Sequence, residues 1–327
     1  MSGGADGMPL PFRSVLVTGA GGFVGGYLLP ALRTALGAEA SITAVAREKG
    51  RTLVDADQTA TVDILDADAI GQLIDDVQPD LVIHLAALAS VGLSTGAAAA
   101  TWRTNVGGTV NLAAAIRAHR PECTVLFGSS VEVYGSAFND GIVDEDTLPA
   151  PASPYARSKR AAEWALADVL GPGNRLIVTR PCNHSGPGQT EDFVLPAFAA
   201  QVAAIEAGRQ SSVLRVGNLE AARDFLDVHD VVDAYLALLA SADALPSRST
   251  FNIASGEPQT IAAMLDRLMA MTDTAITVEQ DPARMRPSDV PATRIDATRL
   301  RELTGWRPRR DLGAMVGSLL DDFRGRT

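Results

Sequence analysis

Cysteine is scarce in this chain. Its 327 residues include two, Cys123 and Cys182. They form neither a metal-ligand spacing nor a disulfide framework, and read as two buried thiols in a reducing cytosol. Basic charge is short as well. Against 39 Asp and Glu stand 28 Lys and Arg, a formal net charge of -11. That balance argues against nucleic acid or an anionic membrane as partners held by general electrostatics. An anionic ligand in a local basic pocket stays open, with Arg209, Arg215, Arg223, Arg284 and Arg286 as candidates. Long apolar runs are missing: no stretch reaches the ~18 residues of a membrane span. The Gly-rich start, Met1 to Pro11, lacks the basic and apolar regions of a signal peptide and reads as a disordered tail. No internal repeat or low-complexity linker stands out. What is present is an apolar fraction of 46%, enough for a sizeable core and a soluble, cytoplasmic globular protein.

Strand and helix patterns alternate through the first 180 residues. Short β-branched or aliphatic runs predict strands at Arg13 to Thr18, Ser41 to Ala46, Asp80 to Leu85, Glu122 to Gly128 and Arg175 to Thr179. Helical spacing lies between them, at Gly22 to Leu36, Asp66 to Val77, Ala97 to His119 and Pro154 to Leu170. This rhythm predicts an α/β fold, a Rossmann-like doubly wound parallel sheet with helices on both faces. After Pro181 the rhythm changes. Helices are expected at Val194 to Gly208, Asp227 to Ala240 and Leu312 to Arg324, with strands at Val213 to Val216 and Thr250 to Ile253. The expected division is a dinucleotide domain over residues 12–181 plus about 224–250. A smaller α/β substrate-binding lobe takes 182–223 and 251–325.

The first strand runs into Thr18-Gly19-Ala20-Gly21-Gly22-Phe23-Val24-Gly25. A G-x-x-G-x-x-G spacing between strand and helix suits a dinucleotide. Gly19 allows the tight turn, Gly22 the approach of a pyrophosphate, and Gly25 close packing of helix on sheet. The helix N-terminus adds N–H groups and partial positive charge. An acid at the end of the second strand would bind the ribose of NAD. Here that strand ends in Arg47, with Lys49 and Arg51 after it, which leans toward the 2'-phosphate of NADP. A plain solvated charge at Arg47 is the alternative. Asp63 and Ile64, after a third strand, would suit the adenine edge.

Tyr155 and Lys159 stand four apart in a helical pattern, so both lie on one helix face. A phenol with a pKa near 10 is a poor acid or base at neutral pH. A nearby ammonium would favour the phenolate and lower that value. Tyr155 could then exchange a proton with a carbonyl or hydroxyl oxygen while a hydride moves to or from nicotinamide. Lys159 could also hold the nicotinamide ribose. Upstream, Phe127-Gly128-Ser129-Ser130 ends a strand and offers Ser130 as a hydrogen-bond partner for the same oxygen. His84, His184 and His229 have no spacing that makes a metal site, so no metal is expected.

With Ser130, Tyr155 and Lys159 together, the chain resembles the extended short-chain dehydrogenases/reductases of the nucleotide-sugar epimerase/dehydratase kind. The likeness runs from about Arg13 to Arg324. It rests on TGAGGFVG, His84-Leu85-Ala86-Ala87, Asn105-Val106-Gly107-Gly108-Thr109, SSVEVYG, SPYARSK and RPCNHSGPGQ. It implies cofactor contacts from Phe23, Val24, Leu85, Ala86, Ala87, Asn105 and Pro181, beside the residues above. VGNLEAARDFLDVHD, Arg286-Pro287-Ser288-Asp289-Val290-Pro291 and TGWRP resemble the GDP-mannose branch. By that resemblance Asn183, Asn218, Arg223 and Arg286 would hold sugar and diphosphate, and Asp289 a ribose. Guanidinium groups suit the phosphates; a structural pair of Arg223 with Asp224 or Asp227 is the competing reading.

Two families of reaction follow from the resemblance. One is NADPH- or NADH-dependent reduction of the C4 ketone of a GDP-linked 6-deoxy-4-ketohexose, giving a GDP-6-deoxyhexose such as GDP-D-rhamnose. The other is 4,6-dehydration of GDP-mannose, in which a Glu at position 132 removes a proton. Val131 replaces the polar neighbour which that Glu has in dehydratases, so Glu132 reads as a substrate contact or a retained group. A UDP-sugar 4-epimerase and a non-catalytic NADP sensor are further alternatives. A homodimer through the helices at 96–119 and 154–170 is usual in families of this kind.

Overall fold

Aliphatic runs that alternate between two covered faces dictate the central sheet. The computed structural model describes residues 10–47, 53–89, 96–285 and 290–326. Within them, β1 (Ser14–Thr18), α1 (Phe23–Leu36), β2 (Ser41–Ala46), β3 (Gln58–Thr61), α2 (Ala67–Val77) and β4 (Leu81–His84) come first. Then follow α3 (Ala98–Trp102), α4 (Gly108–His119), β5 (Thr124–Gly128), α5 (Pro154–Val169) and β6 (Arg175–Pro181). Strand order is β11-β6-β5-β4-β1-β2-β3, with β11 at Arg248–Ile253. Every pairing in it is parallel. The order reverses between β1 and β4, so a ligand crevice opens at their carboxyl ends.

Alternate residues of each strand feed opposite faces. Val15, Val17, Ile42, Leu81, Ile83 and Leu126 pack with Leu28 and Leu32 of α1 and with Val231 and Leu238. Leu16, Val45, Val82, Val125 and Phe127 pack with Ile70 and Ile74 of α2, Leu112 and Ile116 of α4, and Ala162 and Leu166 of α5. Leu81, Val82 and Ile83 are fully buried, each stabilising the fold by about 1.5–3 kcal/mol. One helix departs from the expected single run over 97–119: a π-helical turn, Arg103–Gly107, interrupts it between α3 and α4. Such turns favour functional positions because they re-aim a side chain, and here the re-aimed residue is Asn105.

The second half of the chain adds β7 (Asn183–Ser185), α6 (Val194–Glu206), β8 (Val213–Val216), β9 (Ala222–Arg223), β10 (Phe225–Asp227) and α7 (Val228–Ala240). After β11 come β12 (Gln259–Thr260), α8 (Ile261–Met269), β13 (Thr277–Gln280), α9 (Thr298–Thr304) and α10 (Leu312–Arg326). Leu195, Phe198, Leu214, Met264, Leu268, Leu319 and Phe323 form a separate lobe core. Three boundaries differ from expectation. Residues 251–253 run in the central sheet rather than the lobe. Ile295, Leu300 and Trp306 join the first domain's core. The expected tail 1–11 lies outside the described residues as far as 9, but Leu10 is buried and its N–H bonds Ala35. Cys123 and Cys182 are both free and buried. Among the described residues no helix is long and apolar enough to cross a membrane.

Candidate active site

The loop after β1 is shaped by close approach. Gly19 has φ +72, and a Cβ there would stand 2.5 Å from the Ala86 nitrogen at the end of β4. A Cβ on Gly25 would run into the Ala20 carbonyl. Gly22 is the N-cap of α1; no side chain caps that end and no acid sits in its first turn. The first-turn N–H groups therefore suit an anion, and the cradle fits a dinucleotide pyrophosphate. Phe23 and Val24 open α1, half-buried. Phe23 stacks on His184 at 6.2 Å, and the Tyr27 hydroxyl donates to the Pro187 carbonyl at 2.7 Å. These contacts tie the phosphate end of the first domain to the loop after β7.

Around that loop, the other expected cofactor residues take distinct places. Leu85, Ala86 and Ala87 leave β4 half-buried, and the Leu85 N–H bonds Thr18. Arg47 is exposed at the end of β2; Lys49 and Arg51 lie outside the described residues. Asp63 is exposed and accepts from the Leu65 N–H, while Ile64 is buried under Gly108. Asn105 takes the Leu88 N–H at 2.8 Å and donates to Ser158 at 2.9 Å, clamping the segment after β4 to α5. Pro181 is buried at the end of β6.

The helix α5 starts sharply because the Ser153 hydroxyl caps the Ala156 N–H and Pro154 fits the first turn. Its buried stripe is unusual: Tyr155, Lys159 and Glu163, three polar side chains, face the end of β5. Ser130 and Tyr155 share a side-chain hydrogen bond. Lys159 Nζ donates to the Gly128 carbonyl at 2.6 Å and lies 4.7 Å over the Phe127 ring. The Glu163 carboxylate accepts from the Ser129 hydroxyl at 2.5 Å and from Arg160 and Arg180.

The second domain reaches this point through short strands. Asn183 in β7 pairs with Phe225 of β10, two residues after Arg223. Arg223, in β9, bonds the carbonyls of Ala222 and Val290. Its charge acts on Glu132, whose charge acts in turn on Tyr155. The alternative partners expected for Arg223 are engaged otherwise. Asp224 takes bonds from Ser255, Gly256 and Cys182, and Asp227 caps α7. Asn218 sits on the turn after β8 and accepts from the Glu220 N–H. Arg286 and Asp289 lie outside the described residues. His84 bridges Thr18 and Thr109. Among the described residues no group of acids, His and Cys is arranged to hold a metal.

Residues 16–319 match the family described as GDP-mannose 4,6 dehydratase. The chain belongs to that family. It is 35% identical over 320 residues to the GDP-6-deoxy-D-mannose reductase of Pseudomonas aeruginosa, covering 96% of this chain and 98% of that protein. It is 29% identical to GDP-mannose 4,6 dehydratase 2 of Arabidopsis thaliana, over 80% of this chain and 70% of that one. Its fold superposes with TM-score 0.82 on RMD from Pseudomonas aeruginosa complexed with NADPH, at 33% identity over 96% of this chain and all of that one. Family members of this kind divide among several reactions on one scaffold, so the electrostatics of the site must separate them.

In this family member, burial pushes the Tyr155 phenol well above its usual value; the Ser130 bond opposes the shift, while Glu132 and Tyr235 add to it. The expected depression by Lys159 does not occur. The ammonium is aimed at the Gly128 carbonyl and the Phe127 face, and desolvation outweighs it. Burial brings Lys159 down to about 8, with Glu163 pulling it back up. Burial also raises the Glu132 carboxyl, against the pull of Arg223. His84 is lowered to about 3 by burial and by Lys159, so it stays neutral. A cavity of about 800 Å³ lies beside α5, lined by Arg160, Glu163, Trp164, Leu245, Phe251 and Arg299. It is not the dinucleotide crevice, since neither the glycine loop nor Ser130 and Tyr155 line it. Glu163, Ser129 and Arg180 were missed by sequence reasoning. The available signal was Glu163 four residues past Lys159 on the same helix face.

Proposed function

We propose that this chain reduces the C4 ketone of a GDP-linked 6-deoxy-4-ketohexose to the alcohol, giving a GDP-6-deoxyhexose such as GDP-D-rhamnose. The observation that carries the reading is 35% identity, over nearly the whole chain, to a GDP-6-deoxy-D-mannose reductase. The site has the group such a reduction needs: the buried Tyr155 phenol, protonated at neutral pH, can give its proton to the ketone oxygen.

A bound NADPH, or NADH less favourably, supplies the hydride. As the C4–O4 π pair moves onto O4, Tyr155 delivers its proton there and Ser130 orients that oxygen. Lys159, one turn along the same helix, would help hold the nicotinamide ribose. Gly19, Gly22, Phe23, Val24 and Gly25 would hold the pyrophosphate, Arg47 a 2'-phosphate, and Asp63 and Ile64 the adenine. Leu85, Ala86, Ala87, Asn105 and Pro181 line the rest. Asn183, Asn218, Arg223, Arg286 and Asp289 hold the GDP-sugar in the smaller lobe. A complexed NADPH in the similar RMD structure supports the cofactor preference.

Glu132 favours a second reading, 4,6-dehydration of GDP-mannose, because its buried carboxyl faces Tyr155. Incubating the protein with GDP-mannose alone, and separately with GDP-4-keto-6-deoxymannose plus NADPH, separates the two. Turnover only in the second mixture supports reduction; a 4-keto product in the first, with no reductant added, overturns it. The chain is further proposed to work in the cytoplasm as a homodimer. What supports the dimer is that Trp102 and Trp164, 42% and 58% exposed, stand on the neighbouring helices α3 and α5.

A further inference from the structure

The loop after β7 is held from two sides. On one side stands α1, the helix whose first turn frames the glycine cradle. The Tyr27 hydroxyl donates to the Pro187 carbonyl at 2.7 Å. The Phe23 ring stacks on His184, with ring centres 6.2 Å and planes 8° apart. Phe23 and Tyr27 are four residues apart, on one face of α1, and their rings meet edge to face at 5.5 Å. Gly186 fits closely against both: a Cβ there would stand 3.4 Å from the Tyr27 hydroxyl and 3.7 Å from Phe23. On the other side stands α10. Asp322 accepts from the Gly188 N–H at 2.8 Å, and Arg326 donates to the Gln189 carbonyl. The loop is also tied to itself. Ser185 donates to Gln189 at 2.7 Å, and Gln189 donates to the His184 carbonyl at 3.1 Å. These bonds make it one piece with β7, the strand that carries Asn183.

We propose that Tyr27 is a positioning residue: it joins the first turn of the cofactor helix to the loop beside Asn183, so that NADPH and the nucleotide sugar raise each other's affinity. The inference deepens the reductase reading and rests on its placing of the sugar nucleotide against Asn183. The physical basis is order. No side chain caps α1, and the N–H groups of its first turn have no partner inside the helix. A pyrophosphate takes those groups and fixes the turn. Phe23 lies in that turn and Tyr27 one turn on, so a fixed turn holds His184 and Pro187 in place. The conformational entropy of the loop is then already lost when the second ligand arrives, and that ligand binds more tightly. By linkage the effect is reciprocal. The Tyr27 ring also meets His229 edge-on at 4.7 Å, and His229 pairs with Asp227 at 2.7 Å. Tyr27→Phe keeps these ring contacts and removes the bond to Pro187.

The test is calorimetric titration of the full chain with GDP, in the absence and presence of saturating NADPH, and the reverse titration with NADPH. In wild type each ligand is expected to tighten the other by the same factor, at least about fivefold. Y27F should bring that factor below about twofold. F23L, which removes the stack on His184, should lower it by a second route. D322N is the control for a loop that is merely loosened. It releases Gly188 from α10, so GDP should bind more weakly while the factor keeps its wild-type value. A wild-type factor of one, a factor that Y27F and F23L leave intact, or an equal loss in D322N overturns the proposal. So does a titration in which neither GDP nor UDP binds. Parallel titrations with UDP, and turnover of GDP-4-keto-6-deoxymannose, keep the two readings apart. If UDP rather than GDP shows the Tyr27-dependent factor and no 4-keto GDP-sugar is reduced, the function reading fails and the role of Tyr27 stands. If wild type reduces the 4-keto sugar and the factor is one, the reductase reading stands and the role of Tyr27 fails.

Discussion

On the cofactor side of the cleft the backbone makes the site. Gly19 and Gly25 let main chain pass where a side chain would collide, and the open end of α1 offers its own N–H groups. On the proposed substrate side the site would be made of side chains from separate segments. Asn183 comes from β7, Arg223 from β9 and Glu132 from the turn after β5. The first kind of site is local in sequence and depends on shape. The second exists only when distant pieces of chain are packed together. It is also the side on which relatives of one fold diverge in substrate.

Four substitutions probe this contrast, from the largest effect down. Tyr155→Phe removes the proton donor, and reductive turnover is expected to fall by about 100- to 10,000-fold; NADPH quenching should stay close to wild type. Turnover that survives with every 4-keto sugar would sink the mechanism. Arg223→Ala belongs to the substrate side alone. The KM for the GDP-sugar should rise by roughly 10- to 150-fold, the worth of a charge-assisted bond, with NADPH affinity unchanged. If NADPH binding weakens equally, the two sides are not separable.

Gly25→Ala belongs to the cofactor side. Its new methyl meets the Ala20 carbonyl, and overpacking of this kind costs about 1–3 kcal/mol. Thermal denaturation with and without NADPH should show a lower Tm and a smaller stabilisation by cofactor. A variant with normal cofactor affinity shows that the turn tolerates a side chain. Arg47→Ala is the mildest. The preference for NADPH over NADH should drop by roughly fivefold, as expected for one exposed ion pair. Equal kcat/KM ratios in variant and wild type would mean that Arg47 is a solvated charge.

Much of the first domain was legible because its signals are local. Aliphatic and β-branched runs marked β1, β2, β4, β5 and β6, and the alternation of strands with helices marked the sheet. The lobe was read less completely. The short pairs β7–β10 and β9–β12 have two or three residues each, too few for a period to show. The helix α8 was overlooked although Thr260 caps the Ala263 N–H and Met264, Leu265 and Leu268 form its buried stripe. β11 was divided between the two domains because its start, Arg248 to Thr250, is only half-buried. The π turn at 103–107 was invisible, since five residues are too few for a local change of period to show.

By itself, the sequence determined the scaffold, the glycine cradle and the trio Ser130, Tyr155 and Lys159. Each of these depends on residues close together or on a periodicity carried along one helix. Tertiary structure alone decided how the trio is tuned. Burial, not the neighbouring ammonium, raises the Tyr155 phenol, and Glu163, one turn past Lys159, is paired with Arg180. It also brought Glu132 within the electrostatic reach of both Tyr155 and Arg223. Desolvation and charge pairing act through space, and no spacing along the chain states which side chains will share a buried volume.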